Sequence, residues 1–472
     1  MTPEALAGGL PPAPPARART LIARYGEWLR MHQRLIAGAQ WIVVAAYAFL
    51  IVVPAFMPLP GNDAHALDDL TIFAQWAFWG LWWPFVILSM LAVGRSWCGL
   101  FCPEGKLTET ASRFGFHRAV PRWLKWGGWP FVAFAMTTVF GQLVSVYQYP
   151  RAALIVLGGS TLAAIGVGLV YGREKRVWCR YLCPVNGVFA VLARVAPVHF
   201  RVDRDAWSRN AGRIAIHPVN CAPLVRIRRM TGASECHMCG RCSGHLDAVE
   251  VAWRPPNREV ATLSTSEANG WDAALIVVGL VGLAIGAFHW NASPWFVQLK
   301  LAAAGLVIDH GPHWLLADNA PWWLLTHYPE TNDVFTWLDG ALIVAYIAGT
   351  AAVIAAIVWG ALLVAARAAY PAMRIAHAVR LAYALIPLAG LGVFLGLSSL
   401  TVSLARNEGI ATGVVPALRA IVLAIGALWS LRLAWLQLRD RAPLSRVAAT
   451  VAFAIAVAAI VGAWSLLFFH WT

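Results

Sequence analysis

Nine stretches of this chain are apolar for long enough to cross a bilayer, and that constrains the architecture before any motif is read. They lie near residues 36–57, 72–94, 127–146, 152–171, 271–289, 338–366, 381–403, 413–431 and 447–469. About 20 helical residues span roughly 30 Å of hydrocarbon. Composition agrees: 59% of residues are hydrophobic and 13% charged, against roughly 25% charged in a soluble domain. A soluble chain of this size could not cover its surface with so little charge. The expected fold is an all-α polytopic membrane protein of about nine transmembrane helices. The first run is too long for a secretory signal, and no small-residue cleavage site follows it.

Lys and Arg set the expected orientation. With the N-terminus inside, segments 1–35, 95–126, 172–270, 367–380 and 432–446 are the inner ones. They hold 33 of the 37 Lys and Arg; the others are Arg151, Lys300, Arg406 and Arg419. Positive charge collects on cytoplasmic loops, so a multi-pass protein of a bacterial inner membrane with a cytoplasmic N-terminus is expected. The net charge of +14 follows those loops, and an anionic lipid face, not nucleic acid, is its expected partner.

All eight cysteines then fall on the inner, reducing side, where structural disulfides are not expected. Trp97-Cys98-Gly-Leu-Phe-Cys102-Pro103 recurs 81 positions later as Trp178-Cys179-Arg-Tyr-Leu-Cys183-Pro184. A third group follows, Cys236-x2-Cys239-x2-Cys242, with Cys221 upstream. These spacings divide into two sets of four thiolates, the number an iron–sulfur cluster needs.

In the 236–242 run, two-residue gaps let one tight loop aim three sulfurs at one centre, and Cys221 is the obvious fourth ligand. A bacterial ferredoxin run would continue to a further Cys-Pro; here those positions are Leu246 and Asp247. The reading is a [4Fe–4S] cluster, with a four-cysteine zinc site as its rival. His237 and His245 flank the run and read as loop residues. In the repeated motif, cysteines at i and i+4 share a helix face. Two pairs from a parallel repeat complete a four-sulfur site if the helix ends meet. That site reads as a shared metal or iron–sulfur centre. A redox dithiol, a transient copper site and simple apolar packing of cysteine stay open beside it.

Four segments organise the chain: a Pro/Ala/Arg-rich cytoplasmic tail over 1–35, expected to be disordered; a four-helix membrane unit over 36–194 carrying both Cys-x3-Cys-Pro motifs; a small cytoplasmic iron–sulfur module over 195–270; and a five-helix membrane unit over 271–472. The module has strand-like pieces at Val198–Val202, Ala248–Trp253 and Glu259–Leu263. The last unit has an outer loop over 290–337 rich in Trp and His. Within that loop Phe296–Ile308 is too short to span and reads as interfacial or re-entrant.

Residues 36–245 resemble the membrane ferredoxin-type proteins of the NapH, NosR and CcoG kind. The likeness rests on Cys98, Cys102, Pro103, Cys179, Cys183 and Pro184, with the 236/239/242 run behind them. It implies a ferredoxin-like insert and iron–sulfur electron transfer between the cytoplasmic side or the quinone pool and a respiratory or periplasmic acceptor. It also implies a redox partner protein, with quinone as a candidate partner. Two features of such proteins are missing: the double ferredoxin module with eight cysteines, and a flavin-binding segment like that of NosR. The resemblance does not cover the C-terminal five helices. An electron carrier is the expected role, with a quinol dehydrogenase or metal reductase component left open. Alternatives from other classes are a copper reduction and assembly factor for a respiratory enzyme and a redox-sensing transporter.

The remaining candidates read as structural. His289, His310, His313 and His327 fall on the outer side, and no Cys-x-x-Cys-His haem signal accompanies them. His377 sits among inner arginines, Arg419 can snorkel from near a helix end, and Asp272 and Asp339 sit at helix starts. No Walker or Rossmann glycine motif occurs.

Overall fold

The computed structural model describes residues 20–61, 63–212 and 218–471. Helix α1 (Leu21–Met31) starts at Thr20, whose hydroxyl accepts from Ala23 N–H. The expectation of a disordered tail over 1–35 is therefore corrected for 21–31; residues 1–19 lie outside the described residues. Next come α2 (Gln33–Ala55) and α3 (Leu70–Val93). Asp69 caps α3 by accepting from Thr71 and Ile72. Within α3 the backbone widens to a π-helix over Trp76–Trp82 just before Pro84, where the missing proline N–H breaks the regular ladder.

Helix α4 (Pro103–Phe114) follows the first cysteine motif, and α5 (Trp129–Leu143) and α6 (Pro150–Val170) lead to the second. The apolar helix α7 (Asn186–Val195) leaves that motif. Strands β1 (Val198–Val202) and β2 (Val249–Trp253) pair antiparallel, with Val198 opposite Trp253 and Val202 opposite Val249. The third expected strand is instead a helical turn, Arg258–Ala261, which buries Val260. The chain continues through α8 (Gly270–His289), the exposed helix α9 (Pro294–His310), α10 (Trp337–Ala369), α11 (Ile375–Asn407), α12 (Val415–Gln437) and α13 (Pro443–His470).

Eight of these helices, α2, α3, α6, α8 and α10–α13, are long and apolar enough to cross a membrane. The chain is an all-α multi-pass membrane protein. The ninth expected span is the 15-residue α5, about 22 Å long. Contacts along α2 show that α5 still joins the two faces. Gln40 of α2 donates to Gly99 O beside the first cysteine motif, whereas Ala55 O accepts from Arg151, just beyond α5. At that far face Leu143 O accepts from Thr326 N–H at 2.8 Å, and Tyr149 stacks on Tyr328 and donates to Asp333.

Both membrane units share one core. Ile87 and Leu91 of α3 and Leu192 of α7 pack with residues of α8 and α10–α13. The insert has its own small core of Phe200, Val225, Met230, Met238, Val249 and Val251. It is fastened to the membrane unit by Arg254, which donates to Ala196 O and Arg194 O at 3.0 Å.

Candidate iron–sulfur sites

Each Cys-x3-Cys-Pro motif is a single helical turn followed by a break. The turns are Ser96–Leu100 and Val177–Tyr181. Trp97 O accepts from both Phe101 and Cys102 N–H, and Trp178 O from both Leu182 and Cys183 N–H. The expectation that each pair lies on one helix face is thus corrected: the second cysteine has left the helix. Proline is the reason in the first motif, since it pushes the preceding residue out of helical geometry. Cys102 has ψ 118 and caps α4, accepting from Gly105 N–H on its Sγ at 3.4 Å.

Cys98, Cys102, Cys179 and Cys183 line one cavity of about 750 Å³. Its walls are largely apolar, with aromatic residues that include Tyr47, Trp79, Trp82 and Trp178, and it reaches Tyr147 beyond α5. Cys221, Cys236, Cys239 and Cys242 line a second cavity beneath Phe200, Val225 and Met230. There the chain turns through left-handed backbone at Met238 (φ 56) and Gly240 (φ 79), and Met238 N–H points at Cys236 Sγ. The eight cysteines are therefore gathered as two groups of four, in the two sets that their spacing suggests. His237 stands in the wall of the second cavity, while His245 packs on Trp207 and does not line it.

Between the two cavities lies a buried polar seam. Arg95 (2% exposed) donates to Asn186 Oδ1 at 2.7 Å and Ser234 O at 2.9 Å, with Cys98 Sγ at 4.0 Å. Arg176 (1% exposed) pairs with Glu109 at 2.8 Å and donates to Cys98 O at 2.6 Å. Glu109 also binds Arg241, next to Cys242. Each arginine crosses to the other half of the repeat, so the two motifs are tied to each other and to the insert.

These surroundings fit iron–sulfur clusters. Arg95 Nε, Arg176 Nη2 and both His237 ring nitrogens are buried without a hydrogen-bond partner among the described residues; a neutral imidazole contributes one donor to that set. Unmet buried donors of this kind call for an anionic group, and thiolate-ligated iron–sulfur clusters are rich in sulfur acceptors. Burial pushes the Cys179 and Cys236 thiols up to about 12, a penalty that a bound cationic metal offsets by deprotonating its ligands. Burial and the neighbouring Arg95 and Arg176 hold His237 well below the usual imidazole range, so its ring is neutral. No three Cys, His, Asp or Glu side chains among the described residues close on a single ion.

A family described as a 4Fe-4S binding domain matches this chain twice, over residues 75–121 and 156–203. Those stretches are the two halves of the repeat, and they carry Cys98, Cys102, Cys179 and Cys183. YccM of Escherichia coli strain K12, described as a candidate electron transport protein, is 24% identical over 238 residues, 45% of this chain and 64% of its own. The methylamine utilization ferredoxin-type protein MauN of Methylorubrum extorquens is 25% identical over 156 residues, 30% of this chain and 54% of its own. The chain thus spans less than two thirds of each relative. No solved structure matches it.

Both halves of the repeat thus match a 4Fe-4S binding domain, and the chain is similar to electron transport and ferredoxin-type proteins.

The repeat is longer than its cysteines. Arg95 and Arg176 stand three residues before Cys98 and Cys179, which makes the shared unit Arg-x-Trp-Cys-x3-Cys-Pro. Sequence reading that began at the tryptophan missed both arginines, and two more aligned positions would have found them. The other candidates have structural partners. Asp272 binds Arg194 and Tyr383, Asp339 caps α10 and pairs with Lys300, and His377 caps α11 and stacks on Tyr370. Arg419 donates to Ser399 and lies over the Phe468 ring. His289 is buried against Trp471, His327 lies in a two-residue strand, and His310 and His313 stand in the outer loop.

Proposed function

We propose that this protein is an inner-membrane iron–sulfur electron-transfer protein. It relays electrons between the cytoplasmic side or the quinone pool and a respiratory or periplasmic acceptor. One observation carries the reading: the two four-cysteine groups adjoin, one in the insert and one lining a large apolar cavity. Gly99, next to Cys98, lies against the backbone of His237–Cys239. The descriptions of both relatives, one for electron transport and one as ferredoxin-type, support it.

Cys221, Cys236, Cys239 and Cys242 would hold one cluster, and Cys98, Cys102, Cys179 and Cys183 a second. Such clusters supply one-electron transfer at potentials set by burial and by hydrogen bonds to sulfur. The chain's own part is to hold the two groups in contact, to exclude water from the seam, and to place Arg95, Arg176 and His237 beside them. The cavity below the paired motifs has the size and apolar lining of a site for a lipid-soluble carrier, and quinone is the candidate ligand.

Anaerobic purification with iron and acid-labile sulfide counts tests the proposal. About eight irons per chain are expected from two cubane clusters. A count of about four that Cys236→Ala abolishes and Cys98→Ala leaves intact would remove the cluster at the paired motifs. For the quinone, quenching of tryptophan fluorescence by a short-chain ubiquinone analogue, weakened by Trp82→Leu, is expected. Quenching that Trp82→Leu leaves unchanged counts against that ligand.

A further inference from the structure

The outer wall of the insert's cysteine cavity is a strip of alternating function. Pro223, Val225, Ile227 and Met230 line the cavity. Arg226, Arg228 and Arg229, interleaved with them, are exposed. Other arginines of the cysteine face are matched to carboxylates: Arg180 to Glu235, Arg194 to Glu259 and Asp272, Arg201 to Glu250, Arg241 to Glu109, and Arg254 to Glu259. Among the described residues, Arg226, Arg228 and Arg229 form no ion pair. Arg228 instead donates to Ser208 Oγ at 3.2 Å, which places the helix Arg204–Asn210 and its exposed Arg209 beside them. The acidic residues of that helix, Asp203 and Asp205, stand at its other end, where Asp203 serves as the N-cap.

We propose that Arg226, Arg228 and Arg229 are the docking surface for a small acidic one-electron carrier protein. The proposal rests on the electron-transfer reading above and names the partner of its soluble site. A membrane surface would explain basic residues at span ends. These three stand instead in the middle of the insert, in the wall that separates the cysteines from solvent. A carrier seated on them is one residue layer from the sulfur site, and electron transfer depends steeply on that thickness. In the encounter the carrier is oxidised by one electron and the site reduced by one, with no bond made or broken. Opposite charge across the interface speeds encounter and fixes orientation, which suits a partner that must arrive, transfer and leave.

Full-length protein in detergent is tested with an acidic [2Fe–2S] ferredoxin as the probe. Binding of oxidised ferredoxin is measured by surface plasmon resonance, and electron transfer from reduced ferredoxin by stopped flow. Both are run at about 20 mM and about 300 mM salt, across which screening of exposed charge changes most. The wild type is expected to bind and react about tenfold or more faster at the lower salt. Combined Arg226→Glu, Arg228→Glu and Arg229→Glu is expected to remove that gain in both readouts. Combined Arg122→Glu and Lys125→Glu, exposed on another loop of the cysteine side, is expected to retain it. Equal rates and affinities in wild type and triple variant overturn the proposal, as does an equal loss in the control. Loss of bound phosphatidylglycerol from the triple variant with unchanged ferredoxin kinetics also overturns it and assigns the patch to lipid headgroups. Dithionite-reduced samples of every variant are examined by EPR. A wild type with no iron–sulfur signal sinks the electron-transfer reading itself, whereas a normal signal with salt-independent kinetics sinks the docking surface alone.

Discussion

Gly99 and His237 meet backbone to backbone across the seam between the two cysteine groups. A Cβ on Gly99 would collide with the His237 carbonyl oxygen and stand 2.8 Å from the Cys239 nitrogen. Both obstacles are main chain, so no side chain can swing aside. Gly99 is needed here for space, since its backbone is ordinary helix.

Gly99→Ala should therefore lift the 237–239 loop from the first motif. We expect magnetic coupling between the two reduced centres, read as line broadening in EPR, to weaken while iron content is retained. Unchanged broadening in Gly99→Ala would show that the contact does not set the spacing of the centres.

Arg95 and Arg176 place two buried cations beside the thiolate sites. A reduced cluster carries one more negative charge, and a nearby cation favours it. Arg95→Gln and Arg176→Gln are each expected to lower a midpoint potential in an EPR-monitored titration. Arg95→Lys, which keeps the charge, should move it less. Equal shifts for lysine and glutamine would assign the effect to packing instead of charge.

Glu109 is the counter-ion of that seam. Burial alone would raise its carboxyl, but Arg176 and Arg241 hold it below the usual range. A carboxylate depressed in the folded state adds stability above its unfolded value of about 4.3. That stability is lost as pH falls through the lower, folded value. Thermal unfolding should thus show a full and constant contribution from this group between about pH 5 and 8 and a decline below about pH 4. Glu109→Gln leaves the buried Arg176 and the partly buried Arg241 without their carboxylate, a loss of about 3–5 kcal/mol, and should remove this group's share of the acid-side decline. A variant that melts like the wild type would show that water, not Glu109, neutralises the seam.

Much of this arrangement was legible in the sequence, and what was not has physical causes. The spans were visible because 20 apolar residues in a row have few other uses, and the two cysteine sets because Cys98/Cys102 and Cys179/Cys183 repeat in frame. Helix α5 was read too long because Val144 and Val146 extend its apolar run, although the chain there turns and Leu143 O and Ser145 Oγ bond to Thr326. The helical continuity assumed for Cys98–Cys102 failed because Pro103 acts backward on its neighbour. Long-range pairing hid the rest. Nothing local in Arg176 announces Glu109, 67 residues away. Nothing in the 21–31 stretch, beside a Pro-rich tail, announces that it covers a loop more than 200 residues on.

That cover supports the last prediction. Leu29 of α1 is buried on Gly240, whose φ of 79 turns the loop between Cys239 and Cys242; a Cβ on Gly240 would strike Leu29. At the foot of the helix Gln33 donates to Cys239 O at 2.9 Å. Helix α1 therefore shields the insert's cysteines from water and fixes their loop. Deleting residues 1–31 is expected to speed iron release to a ferrous chelator severalfold, and Leu29→Asp should do so to a smaller extent by placing a charge where an apolar side chain was buried. The iron so lost should be the portion that Cys236→Ala also removes. If truncation leaves release unchanged, or if it removes iron that depends on Cys98 instead, the helix does not protect the insert's site.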